Sequence, residues 1–369
     1  MKYFIAFLFF ISPFGWSQPA ISLSPAATVS VLTCGTGPEL YALFGHTAIR
    51  VSDPVNNLDV VFNYGTFDFN TEHFALKFVK GDLQYMLSAE SFADFLTTYT
   101  FENRKVTEQV LDLNEAQRQA LFNHLLVNMD EANKYYTYKF IDDNCTTRAI
   151  DQLRAIVPTC TFKKKPVNYS YRSQFFPYFH AYFLENMGIN IMFGSGVDVP
   201  STRTFLPDEF MQALSNETKQ GKPLVQTTTV LFNPSTSSTA QSNHLLNYLL
   251  LMLVVSGMLI PEKLRPIGLT IIGLFGGLLL AISFFSLHTE VHNNPQILLF
   301  NPLWLFWIKW NLKTVKWLRH ILLIVMTISL LTYFIWVSQK IHIWYVLPFI
   351  WSLGFILFRS WQAEIRLLK

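Results

Sequence analysis

From His244 to the C terminus the sequence is dominated by long apolar runs, and this feature limits what the chain can fold into more than any other. The runs cover about residues 244–260, 267–287, 296–310, 320–337 and 342–358. Apolar stretches of this kind are typical of membrane-spanning helices. The run at 296–310 is short and contains Asn301-Pro302, so it either spans the membrane or re-enters it. The sequence therefore predicts a transmembrane domain over residues 244–369.

Basic residues favour five spans over four. With five spans, and with the N-terminal part of the chain outside, the basic side chains expected on the inner side are Lys263, Arg265, Lys309, Lys313, Lys316, Arg319, Arg359, Arg366 and Lys369. Only Lys340 then lies outside. Removing the third span would move the cluster from Lys309 to Arg319 outside, against the positive-inside tendency. We expect an all-α bundle of about five helices with a cytoplasmic C terminus in the inner membrane.

The N terminus indicates export. Residues 1–17, MKYFIAFLFFISPFGWS, carry Lys2 and then an apolar run of signal-peptide length, so residues 1–18 are predicted to be a signal peptide. The chain has three cysteines, which leaves at least one thiol unpaired in an oxidising compartment. Whether Cys34 and Cys160 pair is open from sequence. A net charge of only +3 gives no indication of a nucleic-acid partner.

Residues 19–225 have the pattern of a globular domain. Strand-like runs (VSVLTC, HTAIRVS and DVVFNYGTF) are separated by turn residues, and the segment NEAQRQALFNHLLVNMDEANKYY has helical periodicity. This mixture predicts an α+β fold with an antiparallel sheet. Residues 226–243 are rich in serine and threonine and almost uncharged, and they are predicted to be a linker.

The segment FIDDNCTTRAIDQL, residues 140–153, contains the main candidate for a reactive side chain. Asp142, Asp143 and Asn144 are residue types that cap helix N termini, and an amphipathic helix is predicted to follow. Thr146 or Thr147 are alternative caps. Cys145 would then lie in the first turn, where the helix dipole lowers a thiol pKa and free N–H groups stabilise an oxyanion. The alternative is a buried structural cysteine.

His46 is the candidate partner of Cys145. In FGHTAIRVS, alternation places Phe44, His46, Ala48 and Arg50 on one face of a strand. A thiol and an imidazole within hydrogen-bond reach form an activated nucleophile, and a third polar group usually orients the ring. The turn DPVNNLD pairs this strand with VVFNYGTF and brings residues 63–65 opposite His46. Asn63 is therefore the predicted orienting group, with Tyr64 and Asp68 as alternatives.

The loop HTEVHNN between the second and third apolar runs is the other polar candidate. His288, His292 and Asn294 lie on the same side of the predicted membrane as Cys145 and are candidates for contact with a lipid headgroup or an acyl acceptor. Glu290 is misplaced for the H-E-x-x-H zinc pattern, and no third ligand is evident. The sequence predicts no metal and no cofactor, and a plain solvated loop is the alternative reading.

Several separated motifs together resemble the Lnb N-terminal periplasmic domain family. They are, in the order of that family, LTCGTGPELYALFGHTAIRV, VFNYGTFDF, DDNCTTRAIDQL and GSGVDVPSTRTFLPDEF, over about residues 28–215, and the membrane segment HTEVHNNPQILLFNPL resembles the family too. The resemblance implies a permuted papain-like (NlpC/P60-type) thiol enzyme. It makes Cys145 the nucleophile and His46 the general base. Asn63 matches a family motif, and its orienting role is our inference. Asp198 also matches, and its role is either catalytic or that of a residue that caps a helix or fixes a loop.

The resemblance implies a lipoprotein N-acyltransferase. In this reading an acyl chain passes from a phospholipid or another lipid to Cys145, and then to the N-terminal amine of a lipoprotein. One alternative is a cysteine amidase or peptidase acting on cell-wall peptide, and another is a non-catalytic membrane protein with a structural cysteine. The predicted membrane bundle favours the acyltransferase, because a soluble peptide substrate does not require membrane spans.

Overall fold

The structure, a computed structural model, describes residues 21–164, 167–234, 243–307 and 316–368. The predicted signal peptide lies outside these residues. The strands are β1 (Thr28–Cys34), β2 (His46–Asp53), β3 (Leu58–Thr66), β4 (Gln84–Ser91), β5 (Val106–Leu111), β6 (Tyr135–Thr137), β7 (Thr218–Lys219), β8 (Lys222–Pro223) and β9 (Val225–Phe232). The helices are α1 (Phe74–Lys80), α2 (Phe92–Phe101), α3 (Glu115–Met129), α4 (Cys145–Ile156), α5 (Tyr171–Phe175), α6 (Phe183–Met192), α7 (Pro207–Asn216), α8 (His244–Leu259), α9 (Arg265–Phe285), α10 (Gln296–Leu299), α11 (Trp304–Trp307), α12 (Lys316–Val337) and α13 (Ile343–Leu368).

The N-terminal part folds around one antiparallel sheet. Seven strands are arranged in the order β6-β4-β3-β2-β1-β5-β9, and the short pair β7-β8 forms a separate ribbon. The register of the β2–β3 hairpin pairs Ile49 with Phe62 and Asp53 with Leu58 around the predicted DPVNNLD turn. The predicted α+β class is therefore confirmed.

Both faces of the sheet are covered by helices. The apolar side chains of β1 therefore point alternately into two cores. Val29 and Val31 point into the larger core, which the apolar faces of α3, α4 and α7 complete. Leu32 and Cys34 point into a smaller core under α2, together with Phe95. Period-two alternation with apolar residues on both faces is expected of a strand buried on both sides.

The segment predicted to be a linker begins inside the sheet. Val225–Phe232 is an edge strand that pairs with β5, so this part of the linker prediction is wrong. Its run of threonines suits an edge strand, because β-branched side chains favour extended backbone and polar ones tolerate the solvent-exposed face. Residues 235–242 of the predicted linker lie outside the described residues.

The C-terminal part is a helical bundle with its own apolar core. Among the described residues, three helices are long and apolar enough to cross a membrane, namely α9, α12 and α13, while α8 and the α10–α11 segment are shorter. The predicted third span is broken into α10 and α11 around Asn301-Pro302, and its residues 308–310 lie outside the described part. Asn301 Nδ2 donates to Ser329 Oγ, which in turn donates to the carbonyl of Leu298 at the break. The five-helix count stays a prediction.

One end of the bundle contacts the sheet domain. The ring of His244, at the start of α8, lies 4.7 Å from that of His180. Beyond the end of α9, Leu287 N–H donates to Lys80 O of α1. Lys340, between α12 and α13, lies 3.8 Å from the Asp198 carboxylate. The loops that leave α9 and α12 therefore lie at the same end as the sheet domain.

Candidate active site

Cys145 is the first residue of α4, and Asn144 is its N-cap. The Asn144 Oδ1 accepts hydrogen bonds from the N–H groups of Thr146 and Thr147, and the Thr147 hydroxyl accepts from the N–H of Asn144. This reciprocal capping box fixes the register of the first turn, which the sequence left open among several capping residues. Asn144 is only 4% exposed. Cys145 therefore lies in the first turn of a capped helix, where the sequence predicted it.

The capping arrangement leaves one amide next to the thiol without an acceptor. Asn144 occupies the N–H groups of Thr146 and Thr147 through its side chain, and that of Arg148 through its carbonyl. Within the described part of the chain, the N–H of Cys145 itself donates to no acceptor. A free N–H beside a nucleophile, at the positive end of a helix, is suited to hold an oxyanion.

His46 is the first residue of β2, directly after a turn that requires glycine. Gly45 has a φ of +80°, and a Cβ at this position would lie 2.5 Å from the carbonyl oxygen of Cys34. The turn places the His46 ring beside Asn63, with 3.1 Å between Nε2 and Asn63 Oδ1. The structure thus brings His46 and Asn63 together as the hairpin register predicted.

Glu90 is a member of the site that the sequence analysis missed. Asn63 Nδ2 donates to Glu90 Oε1 at 2.8 Å, so the Asn63 Oδ1 is turned to His46. Since Oδ1 is an acceptor, Nε2 of His46 carries the hydrogen and Nδ1 is the nitrogen free to accept a proton. Burial, and then the neighbouring Asp94, raise the pKa of Glu90. Glu90 pairs opposite Val61, but β4 reaches this register only through a shift between Tyr64 and Thr66, so alternation in the sequence gave no signal for it.

The two alternative orienting residues lie elsewhere. The Tyr64 ring is 2% exposed and packs in the larger core, and the Asp68 carboxylate accepts from the N–H of Asn70 in an exposed turn. Among the described residues, neither side chain hydrogen-bonds to His46. Gly65, with a φ of +94°, lies over the thiol, so that a Cβ there would be 3.6 Å from Cys145 Cβ. Asn63 is therefore the orienting residue by geometry.

The surroundings of Cys145 favour the thiolate. Burial raises the pKa of the thiol, but the charge of His46, a side-chain hydrogen bond with His46 and the N–H of Thr47 all lower it. The net pKa of Cys145 is lower than that of an ordinary cysteine. The Thr47 and Thr146 hydroxyls are 3.0 Å apart and buried, which fixes β2 against the first turn of α4. A partly exposed thiol with a lowered pKa has the properties of a nucleophile.

The other two cysteines differ from Cys145. All three are free, and both Cys34 and Cys160 are buried. Burial raises the pKa of Cys34, whose strand position is paired with His46. Burial also raises the pKa of Cys160, whose Sγ lies 3.6 Å from the carbonyl of Thr218. Only Cys145 therefore combines partial exposure with a lowered pKa.

The polar residues of the HTEVHNN loop contact main-chain groups. His288 Nε2 donates to Phe78 O at 2.9 Å, and His292 Nε2 donates to Ser286 O at 2.7 Å. Asn294 Nδ2 donates to the carbonyls of Ile191 and Met192 at the end of α6. These bonds attach the loop to the sheet domain and to α6, so a substrate contact at these residues stays a prediction. The described residues include no cluster of three or more His, Cys, Asp or Glu side chains that could hold a metal ion.

Asp198 fixes a loop. Its carboxylate forms a two-bond ion pair with Arg172, at 2.9 and 3.1 Å, and both side chains are buried. Arg172 also donates to the carbonyls of Asn190, Phe193 and Gly194. Of the two roles that the sequence left open, the structure supports the loop-fixing one.

A cleft of about 1660 Å³ opens between the loop after β1, the α5 region and α7. Leu43 and Tyr178 are among its lining residues, but Cys145, His46 and Asn63 are not. The candidate site is therefore defined by its hydrogen bonds and not by this cleft.

Comparison with known proteins identifies the N-terminal part. Residues 16–174 match the family model described as the Lnb N-terminal periplasmic domain, which confirms the resemblance seen in the sequence. No curated protein and no solved structure matches the chain. The matched region contains His46, Asn63, Glu90 and Cys145. Together with the three membrane-length helices, it indicates a membrane protein with a periplasmic N-terminal domain.

Proposed function

We propose that this protein, whose residues 16–174 belong to the Lnb N-terminal periplasmic domain family, is a membrane-bound acyltransferase. It would move an acyl chain from a lipid to the N-terminal amine of lipoproteins through a thioester at Cys145. Two observations support the proposal: a helix-start thiol whose pKa is lowered, against burial, by the charge of His46, and a His46 ring that Asn63 orients. The order of a histidine strand before a cysteine helix is that of a permuted papain-like enzyme.

The first half-reaction forms the thioester. His46 Nδ1 accepts the proton of Cys145, and the thiolate attacks the ester carbonyl of the lipid. The N–H of Cys145, which has no acceptor among the described residues, stabilises the oxyanion. The carbon–oxygen bond breaks, His46 returns the proton to the leaving oxygen, and a lyso-lipid departs.

The second half-reaction transfers the acyl chain. The α-amine of the lipoprotein's N-terminal cysteine attacks the thioester carbonyl, and His46 accepts a proton from the amine. The carbon–sulfur bond breaks, His46 gives this proton to the departing sulfur, and the products are an amide and the free Cys145 thiol. The hydrogen bond from Nε2 of His46 to Asn63 holds the ring in place when Nδ1 is protonated, and it returns the ring to the same neutral tautomer after each half-reaction.

The position of the domain supports a lipid substrate over a soluble one. Cys145 follows a loop, residues 139–144, that contacts the membrane bundle directly. The Ile141 N–H donates to Glu290 Oε1 at 3.0 Å, and Lys139 Nζ donates to the carbonyl of Leu287. Both acceptors lie in the loop that follows α9. An enzyme acting on soluble cell-wall peptide would not require this attachment.

The test is mass spectrometry of lipoprotein N termini from cells that lack the gene and contain no second enzyme of this kind. Deletion should leave a free α-amine, and wild type should restore the N-acyl group while Cys145→Ala does not. Cys160→Ala is the matched control, because it removes a cysteine outside the site, and it should restore N-acylation. N termini that stay unchanged on deletion would contradict the lipoprotein function and favour a cell-wall or non-catalytic role.

A further inference from the structure

We propose that α1 lies in the membrane interface, and that the acyl chain of the donor lipid reaches Cys145 along aromatic side chains between α1 and the site. The second part rests on the proposed function, whereas the first does not. The inference comes from three features: the attachment of α1 to the end of α9, the exposed apolar surface around α1, and the continuity of its aromatic rings with the core beside Cys145.

The last turn of α1 is attached to the end of a helix that is long and apolar enough to cross a membrane. The Leu287 N–H donates to Lys80 O at 2.7 Å, and the Ser286 hydroxyl donates to Val79 O at 2.9 Å. His288 Nε2 donates to the carbonyl of Phe78. Because α9 ends at Phe285, these bonds fix α1 within one helical turn of the point where that helix ends. If α9 spans a bilayer, its end, and with it α1, lies at the boundary between lipid and water.

The surface around α1 is apolar and exposed. Large apolar side chains that are 41–67% exposed there are Leu40, Tyr41, Phe69, Leu76, Phe78 and Val79. Phe284 and Phe285, in the last turn of α9, are 75% and 78% exposed and belong to a membrane-length helix. An exposed apolar surface that continues the surface of a span is expected to be buried in lipid. The bilayer is therefore the occupant that this surface fits.

The charges at α1 suit the same position. Lys77 and Lys80 lie in the last turn of the helix, and Lys80 forms an ion pair with Asp82 at its end, whereas the first turn contains no acidic residue. A short helix with exposed apolar side chains and a lysine near its end is typical of interfacial helices, because a lysine such as Lys77 reaches anionic headgroups.

Aromatic rings connect α1 with the core beside the thiol. The ring centroids of Phe78 and Phe74 are 6.4 Å apart, those of Phe74 and Phe67 5.8 Å, and those of Phe67 and Tyr85 5.2 Å. Tyr85 lies 4.5 Å from Tyr138, and both Tyr138 and Cys145 pack against the larger core. The aromatic lane, as we call these five rings, therefore runs from the end of α9 to the active-site core. Apolar rings of this kind favour an acyl chain over a polar substrate.

Depth-dependent quenching tests whether α1 lies in the membrane. The full-length protein with Cys145→Ala, in which Cys34 and Cys160 are buried, receives one new thiol, either Leu76→Cys on α1 or Val127→Cys on α3. Val127 is 56% exposed and serves as the matched apolar position on another helix of the domain. Each is labelled with a bimane and reconstituted into vesicles of brominated phosphatidylethanolamine and phosphatidylglycerol. The proposal predicts strong quenching at position 76 and little at position 127. Equal quenching would overturn it.

A charge substitution tests the route of the acyl chain. Phe78→Asp should slow thioester formation with lipid in vesicles by about tenfold, because it replaces the first ring of the route with a charge and removes apolar contact with the acyl chain. Val127→Asp should leave the rate unchanged. Equal rates for the Phe78→Asp variant and wild type would refute the route. The quenching does not depend on catalysis. If the wild type forms no thioester while the labelled Leu76→Cys variant is quenched, the acyl-chain route and the proposed function are refuted and α1 still lies in the interface.

Discussion

At the scale of single residues, the site depends on the opposition of two effects at one sulfur atom. Burial alone raises the pKa of the Cys145 thiol, and contacts with His46 and Thr47 reverse the direction. The imidazole can do this only if its ring is held with one nitrogen facing the thiol. Asn63 and Glu90 hold it, because the amide of Asn63 bonds to both. The candidate site thus consists of four side chains on three strands and one helix.

This balance predicts a pH dependence of thiol alkylation. In the wild type, the rate of Cys145 alkylation by iodoacetamide should rise with a midpoint below about 8.5, the ordinary cysteine pKa. In His46→Ala, burial still raises the pKa of the thiol, but the charge of His46 no longer lowers it, so the midpoint should lie above that value. The rate at pH 7 should then fall about tenfold or more, since one pKa unit changes the thiolate fraction tenfold.

The matched control is His288→Ala, because this histidine bonds to the carbonyl of Phe78 and not to the site. Its pH profile should superimpose on that of the wild type. Superimposable profiles for His46→Ala and wild type would refute the contact between His46 and the thiolate.

The residues of the site differ in how far sequence could predict them. His46 and Asn63 belong to one hairpin, and its short turn fixes which residues face each other, so the contact follows from counting along two strands. Glu90 comes from β4, which reaches β3 only after α1 and through a register shift between Tyr64 and Thr66. A bulge changes the pairing in a way that alternation cannot reveal, which is why Glu90 was missed.

At the scale of elements, the side chain of the N-cap residue Asn144 attaches the start of α4 to two other segments of the domain. Asn144 accepts two hydrogen bonds from the helix, and its Nδ2 donates to the carbonyls of Phe140 and Phe205. One side chain therefore joins the helix start, the loop before it and the segment before α7. The capping residue could be predicted from its type, but the bond to Phe205, 61 residues away, could not.

This arrangement predicts a difference between two capping boxes. Asn144→Ala should lower the free energy of unfolding by about 2–3 kcal/mol, because it removes the cap and leaves buried polar groups without partners. Asn114→Ala removes the exposed cap of α3, whose side chain accepts from the Gln117 N–H, and should cost only about 1 kcal/mol. Denaturant unfolding of both variants in detergent measures the difference. A loss at Asn144 no greater than that at Asn114 would show that the additional bonds contribute nothing.

Element type was predictable where periodicity was strong, as in α4, whose apolar residues Ala149, Ile150 and Leu153 are buried on one face. The prediction failed where composition suggested something else. The strand β9 has the threonine-rich composition of a linker, and only its pairing with β5 makes it a strand. Tertiary pairing of this kind overrides local composition, because an edge strand needs hydrogen bonds more than it needs an apolar face.

At the scale of the whole molecule, the helical bundle contacts the loop of residues 139–144, which precedes the candidate nucleophile. Glu290, 3% exposed, accepts the N–H of Ile141, and Gly194 N–H donates to the carbonyl of Glu290 at 2.8 Å. The residues of this loop were predicted to meet a substrate or solvent, and sequence spacing gave no sign that Glu290 reaches a segment 149 residues earlier. The loop that follows α9 therefore positions the segment that begins at Lys139 and ends at the N-cap of α4.

If the bundle holds this loop in place, loss of the Glu290 carboxylate should loosen it without unfolding the domain. In Glu290→Ala, amide hydrogen exchange of residues 140–144 should accelerate by about tenfold, because the Ile141 N–H loses its acceptor and local opening becomes easier. Glu290→Gln retains an oxygen acceptor and should exchange more slowly than the alanine variant. Glu262→Ala, in the loop between α8 and α9, is the control and should match wild type. Exchange that is unchanged in Glu290→Ala would mean that the domain holds the active-site loop without the membrane bundle.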